Sequence, residues 1–278
     1  MVSLNDPLLI YTDLDGTLLD HESYDWSPAE PWLARLRDAA VPVIINTSKT
    51  AAEVEQLRHE LDLYAPYTVE NGSVVVLPPE WCVDETATAE QWAHLPLGAS
   101  HDRIVSVLAA IRENEGLSFR CFSDMDTDEV AERTALSRDR AALAKQRQGS
   151  EPLVWEDTPG RLVHFQQVLT GFGLTLTRGG RFYHVMGDEA GKGRAVHWLT
   201  SRREVLHQER PCTIGLGDGP NDVSMLEACD MAVAIHAPHG QVLEVDNAHC
   251  YFTRASGPAG WDEGLTHWIS LEGSTLDE

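Results

Sequence analysis

Four short, apolar runs, each ending near a polar residue, constrain this chain most. They are Leu8 to Thr12, Val41 to Asn46, Thr213 to Leu216 and Met231 to Ile235. Each is rich in branched residues and shows no polar alternation, as expected of strands buried on both faces. Helical patterns separate them. Ser27-Pro28-Ala29-Glu30 has the form of a capping box with Pro at the first helical position, and Trp32, Leu33, Leu36 and Ala40 follow at helical spacing. Thr50-Ala51-Ala52-Glu53 is a second box, opening a helix with Val54, Leu57 and Leu61 on one face. Helices are also expected from Gly193 to Leu206 and from Asn221 to Cys229. Strand–helix alternation of this kind predicts an α/β fold around a doubly wound parallel sheet.

Between Pro78 and Met186 the pattern changes. Helical stretches (Asp102 to Arg112, Asp128 to Ala135, Arg161 to Leu169) mix with strand candidates (Leu117 to Phe122, Leu174 to Thr177, Arg181 to Val185). This reads as an inserted α+β domain, residues 83–186, with 1–82 and 187–278 folding together as the core.

The chain has 278 residues and a formal net charge of -23, with 44 acidic against 21 basic residues. Such a balance argues against nucleic acid and anionic membrane as partners. An enzyme of anionic substrates would then need a metal and a few placed basic groups. Lysine is scarce: only Lys49, Lys145 and Lys192 occur. The five cysteines are scattered, with no C-x-x-C pair, which argues against a disulfide framework and a zinc site. With no signal-peptide pattern and no apolar run long enough to span a bilayer, a cytoplasmic location is expected.

In open parallel sheets, ligands bind beyond the carboxyl ends of the strands. Placing the strand-ending polar residues there assembles a site. Asp13 and Asp15 end the first run, and Thr47, Ser48 and Lys49 end the second. Asp218 ends the third, with Asn221 and Asp222 one helical turn on, and Lys192 opens a helix between two glycines. Singly, Asp13, Thr47 or Asn221 could be no more than a cap. Together, acidic strand ends far apart in sequence point to one divalent metal site and phosphoryl-transfer chemistry, because paired carboxylates repel unless a cation lies between them. A lysine in the first turn of a helix opposes the dipole, so Lys192 points to a bound anion.

Competing motifs fail. Asp13-x-Asp15-Gly16 and Asp124-x-Asp126-x-Asp128 lack the glycine and glutamate positions of a calcium loop, and the second is expected to be a solvated acidic turn. Gly187 to Gly193 is one residue short of a P-loop and lacks its Ser/Thr. His236 and His239 have no third ligand and are expected at the surface.

Asp-x-Asp-Gly-Thr at 13–17, the Thr47/Ser48 strand end, Gly-Lys-Gly at 191–193 and Gly-Asp-Gly-x-Asn-Asp at 217–222 occur in this order. The combination resembles the haloacid dehalogenase superfamily of phosphohydrolases, with the insert similar to the large α/β cap of its Cof-type branch. Ser23 to Trp26, Asn46 to Thr50, Glu70-Asn71-Gly72, Gly180 to Val185 and Gly257 to Trp261 look like the mannosyl-3-phosphoglycerate phosphatases.

That resemblance implies roles. Asp13 would be the nucleophile, forming an aspartyl-phosphate, and Asp15 the general acid and base. Mg2+ would be held by Asp13, the backbone carbonyl of Asp15 and Asp218, with Asp222 and Asn221 in support. Lys192 and Thr47 would stabilise charge on the transferring group. Ser48 and Lys49 would lie near the phosphate, Glu70 and Asn71 would hold sugar hydroxyls, and Arg181 and His184 would anchor a carboxylate. The substrate expected is a small phosphorylated sugar–glycerate. A broad Cof-type sugar phosphatase, a phosphotransferase or mutase, and a non-catalytic sugar-phosphate sensor remain alternatives. Oligomeric state is not legible.

Overall fold

A computed structural model of the protein describes residues 1–82, 92–179, 182–238 and 242–270. The chain runs β1 (Val2–Ser3), β2 (Leu8–Thr12), α1 (Glu30–Asp38), β3 (Val43–Asn46), α2 (Ala51–Glu60), β4 (Tyr67–Val69), β5 (Val74–Leu77) and β6 (Ala93–Pro96). It continues through α3 (His101–Glu115), β7 (Phe119–Cys121), α4 (Thr127–Thr134), α5 (Arg138–Ala144), β8 (Ser150–Trp155), α6 (Pro159–Gly171), β9 (Leu174–Gly179) and β10 (Phe182–Gly187). It closes with α7 (Lys192–His207), β11 (Cys212–Gly217), α8 (Val223–Ala228), β12 (Met231–Ala234), β13 (Cys250–Phe252), α9 (Gly257–Trp268) and β14 (Ile269–Ser270).

An eight-stranded sheet ordered β13-β12-β11-β2-β3-β4-β5-β6 forms the core. From β13 to β4 neighbouring strands are parallel. The four runs expected as strands are the four buried strands at its centre, and their pattern follows from burial on both faces. Leu8 and Ile10 of β2 face a cluster with Trp32, Leu33 and Leu36 of α1, Val54 of α2 and Trp261 of α9. Leu9 and Tyr11, pointing the other way, meet Val196 and Leu199 of α7 and Met225 and Leu226 of α8. Helices thus cover both sides, and no polar alternation can survive.

The insert folds on its own four-stranded antiparallel sheet, β7-β8-β10-β9. Ile104 and Leu108 of α3 and Phe165 of α6 cover one cluster, and Val130 of α4 and Ala141 of α5 another. The core sheet reaches past residue 82, the expected core limit: Ala93–Pro96 pairs antiparallel with Val74–Leu77. Among the described residues, no helix is long and apolar enough to cross a membrane, and all five cysteines are free.

The Thr50 capping box forms as expected, but the Ser27 one does not. The Ser27 hydroxyl donates to Asp25 Oδ2 at 2.7 Å, and residues 27–29 make a separate 3-10 turn. Pro31 then opens α1 without a side-chain cap. The acidic turn at 124–128 is also more structured than expected. Asp126 caps α4, while Asp124 pairs with Arg112 and Asp128 with Arg138.

Candidate active site

The parallel register of three strands brings the site together. Thr12 lies opposite Leu216 of β11 and Ile45 of β3. The residues that follow therefore leave the sheet side by side: Asp13 after β2, Thr47 after β3, Asp218 after β11. Asp13 N–H continues the ladder to the Leu216 carbonyl (3.0 Å), as Thr47 N–H does to Thr68 (3.1 Å). Gly16 makes the close approach of the two acidic loops possible. Its φ is +79°, and a Cβ there would stand 2.5 Å from Asp218 Oδ2. Thr17 Oγ1 then donates to Asp218 Oδ1 at 2.9 Å.

Lys192 enters from the first turn of α7. Its Nζ donates to Asp13 Oδ1 (2.7 Å) and to Asp222 Oδ1 (2.6 Å), and its side chain has no exposed surface. The backbone around it is held as well. Asn46 Nδ2 donates to the Lys192 carbonyl at 3.1 Å. At Gly72, φ is +83° and a Cβ would meet the Gly191 carbonyl oxygen at 2.3 Å, so this turn presses directly on the start of α7. Asp222 Oδ2 accepts the N–H groups of Asp218 (3.1 Å) and Gly219 (2.9 Å), shaping the acidic loop.

Burial pushes the Asp13 carboxyl up to about 7; Lys192 opposes the shift, and Asp222 and Asp15 add to it. Burial, then the charges of Asp222 and Asp13, push Asp218 up to about 8. Burial works to lower the Lys192 pKa, but Asp13 and Asp222 raise it overall and keep the ammonium charged.

Asp13, Asp218 and Asp222 each offer an oxygen, all within 4.8 Å of one another. An all-oxygen carboxylate set suits Mg2+, and a divalent cation there would reverse the upward shifts of Asp13 and Asp218. Asp222 is the least available of the three, since both its oxygens already accept hydrogen bonds. The Asp15 side chain is not in this group. Its Oδ2 pairs with Lys49 Nζ at 2.7 Å, and it is half-buried.

The remaining expected site residues divide. Lys49 pairs with Asp15 and also lies over the Tyr24 ring; it meets the carboxylate proposed for proton transfer. Thr47 is buried, and its Oγ1 accepts from Lys49 N–H (3.3 Å). Ser48 presents its carbonyl to Arg147 of the insert at 2.9 Å. Asn71 Oδ1 accepts from Asn221 Nδ2 (3.2 Å), joining the turn after β4 to the acidic loop. His184 on β10 is buried, with Nδ1 unpartnered among the described residues. Arg181 and His239 lie outside the described residues; His236 is exposed, as expected.

Glu70 is a correction. The expectation gives it sugar hydroxyls, but its carboxylate is fully buried and engaged. Oε1 accepts Gln148 N–H (2.8 Å); Oε2 accepts Gly149 N–H (3.1 Å) and Ser150 Oγ (2.8 Å). It clasps the insert to the core and, with no exposed surface, does not present its carboxylate to a sugar.

Two residues that the sequence reading did not place carry weight. Trp261 Nε1 donates to Thr12 Oγ1 (3.0 Å), and Thr12 Oγ1 donates to the Asp13 carbonyl (2.7 Å), bracing Asp13 from beneath the sheet. The Gly257 to Trp261 segment stood out in the sequence without a role, and this is its contact with the site. Arg147 bridges insert and core, and its isolated charge gave no motif to find.

The family model of the haloacid dehalogenase-like hydrolases matches residues 10–126 and 160–254. Among solved structures, the fold is similar to a Thermoplasma acidophilum protein (TM-score 0.65, 15% identity, covering 96% of this chain and 98% of that one). It is similar to the sucrose-phosphatase of Synechocystis, solved with sucrose and phosphate (TM-score 0.63, 17% identity, 94% and 98% covered). A Bacteroides thetaiotaomicron protein described among phosphatases of the same superfamily also matches (TM-score 0.65, 17% identity, 95% of each chain).

Proposed function

The chain belongs to the haloacid dehalogenase-like hydrolases, whose model matches most of its length, and on that premise we propose that it is a Mg2+-dependent phosphomonoesterase acting through an aspartyl-phosphate. Its proposed reaction is that of a mannosyl-3-phosphoglycerate phosphatase, releasing mannosylglycerate and phosphate. One observation carries the chemistry: Asp13 sits buried at a strand end with one oxygen on Lys192, beside Asp218, while Asp15 stands nearby outside the carboxylate group.

Asp13 would attack phosphorus through its oxygen not bonded to Lys192. The bond from phosphorus to the leaving alcohol breaks as Asp15 protonates that oxygen. Water then attacks the aspartyl-phosphate, Asp15 takes its proton, phosphate leaves and the Asp13 carboxylate is restored. Asp13 and Asp218, with the Asp15 carbonyl, would hold the metal, which when bound offsets the negative charge of carboxylates and phosphate. Lys192 has two tasks. It neutralises Asp13 and Asp222 in the resting site, and it keeps a fixed positive charge where the phosphoryl group would sit. Thr47 and Ser48 line the same edge of the sheet.

The insert supports the substrate half of the reading by closing over the catalytic edge through Glu70, Ser48 and Thr50 contacts. A fold shared with a sucrose-phosphatase fits a sugar-phosphate substrate. The test is phosphate release, with and without Mg2+, across sugar phosphates that include mannosyl- and glucosyl-3-phosphoglycerate. Strong preference for the glycosyl-phosphoglycerates is expected. Equal turnover of common hexose phosphates would leave a broad sugar phosphatase instead.

A further inference from the structure

Tyr24 lies in the loop that follows the Asp13–Thr17 motif, and its backbone adopts a conformation that bulky side chains avoid. Its φ is +59°. Hydrogen bonds hold the loop in this shape. Tyr24 N–H donates to the Asp20 carbonyl, and Asp20 N–H to the Asp25 carbonyl, both at 3.0 Å. Asp20 Oδ1 accepts the N–H groups of Glu22 (3.1 Å) and Ser23 (2.8 Å) and the Ser23 hydroxyl (2.7 Å). Strain of this kind persists only where the surroundings impose it, and it gathers at sites where geometry serves function.

The half-buried ring meets a pair of cations. Lys49 Nζ lies 5.2 Å from the ring centroid and Arg140 Cζ 4.9 Å. Among the described residues, no other ring is approached by two cations. Lys49 belongs to the core and Arg140 to α5 of the insert. Lys49 is buried, and its Nζ pairs with Asp15 Oδ2 at 2.7 Å, its single ion pair among the described residues. The cavity that Tyr24, Lys49 and Arg140 line between α2 and α5 measures about 30 Å3. That is room for about two waters and not for a sugar, so the ring is no platform for substrate there. A lysine ammonium is a point charge on a flexible four-carbon stem. A carboxylate paired with it is only as fixed as the ammonium, and a ring face beside that ammonium removes much of its freedom.

We propose that Tyr24 is a positioning residue for proton transfer: its ring holds the Lys49 ammonium against Asp15 Oδ2 and leaves Oδ1 for the proton, while Arg140 ties the insert to the same ring. The inference rests on the phosphatase reading above and adds the residue that sets its general acid. In the first half-reaction the proton on Asp15 Oδ1 passes to the bridging oxygen as that oxygen's bond to phosphorus breaks. In the second, the attacking water gives a proton back to Oδ1.

An acid that protonates the leaving oxygen matters greatly for an alkoxide and little for p-nitrophenolate, a stable anion. kcat/KM reads the reaction up to phosphoryl transfer onto Asp13, before water attacks. The test therefore compares kcat/KM for p-nitrophenyl phosphate with that for the sugar phosphate the wild type turns over fastest, both with Mg2+. Tyr24→Leu is expected to lose about 5- to 30-fold on the sugar phosphate, the size of a desolvated cation–π contact, and far less on p-nitrophenyl phosphate. Tyr24→Phe keeps the ring and should recover most of the sugar-phosphate rate. Arg140→Gln, at an exposed position, should show the same selective loss at about 2- to 5-fold. A misfolded fraction lowers both rates alike, so a selective loss is not a folding defect. No loss in Tyr24→Leu, equal losses on both esters, or a Tyr24→Phe as impaired as Tyr24→Leu would overturn the positioning role while leaving the phosphatase reading in place. A wild type that releases phosphate from neither ester would overturn both.

Discussion

Lys192 Nζ lies 2.7 Å from Asp13 Oδ1, in a side chain with no exposed surface. A lysine in the first turn of a helix faces the positive end of the dipole. It is held there by two carboxylates, Asp13 and Asp222, that would otherwise repel each other. The arrangement leaves one Asp13 oxygen free of Lys192. The electrostatic oddity of the sequence and the chemistry of the proposed reaction are therefore one feature.

Replacing Lys192 by Met should strand Asp13 and Asp222 without their cation. Removal of one partner from a buried ion pair costs about 3–5 kcal/mol. Urea unfolding without metal should show a loss of that order, together with loss of phosphatase activity. A stability change under about 1 kcal/mol, the scale of an exposed pair, would mean that the cluster is solvated.

Stability should depend on pH in a direction set by Asp13 and Asp218. Their carboxyls are raised from 3.8 to about 7 and about 8 in the folded protein. Between those limits the folded state binds more protons than the unfolded one, so metal-free stability is fully present below about pH 4 as far as these groups are concerned, and is lost as pH rises toward 8. Mg2+ should flatten this slope by favouring the ionised carboxylates. Thermal melts across that range, with Mg2+ and with a chelator, measure it; parallel curves would argue against a metal held by these residues.

Trp261→Phe removes the donor to Thr12 Oγ1 while keeping an aromatic ring. The cost should be about 1–3 kcal/mol, the range for a buried group losing its partner, with a lower kcat because Thr12 also holds the Asp13 carbonyl. Thr12→Val should show a similar defect. The double variant should be less damaged than the sum, since both remove one hydrogen-bonded chain. Strict additivity would separate Trp261 from the site.

Glu70→Gln should loosen the clasp on the insert. Charged acceptors of backbone N–H groups are worth about 1.5–3 kcal/mol. Hydrogen exchange at Gln148 and Gly149 should speed up while the central strands β2 and β11 stay protected. Unchanged exchange would mean that the two N–H groups are held by other contacts.

The core was legible where one local rule decided the outcome. β2, β3, β11 and β12 announce themselves because burial on both faces removes polar alternation, leaving only single buried polar residues such as Thr12, Asn46 and Thr213. Thr50 caps α2 as its box requires, its hydroxyl accepting from Glu53 N–H while donating to the Leu143 carbonyl; the Ser27 hydroxyl is turned to Asp25 instead. β8 was missed, since Ser150, Glu151 and Pro152 belie a strand until Glu70 and His101 are seen to satisfy them. The roles of Glu70, Arg147 and Trp261 depend on partners 78, 99 and 249 residues away. No spacing rule reaches that far. Asp13, Asp218 and Lys192 were readable because each ends a strand or opens a helix at the same edge of a parallel sheet.

The central claim is that Asp13 becomes covalently phosphorylated. The most direct measurement is acid quench of the enzyme during turnover, followed by peptide mapping, with Asp15→Asn used to slow hydrolysis of the intermediate. Phosphate on the peptide carrying Asp13, absent from Asp13→Asn, is the predicted result. Full activity in Asp13→Asn, or phosphate found on another residue, would contradict it.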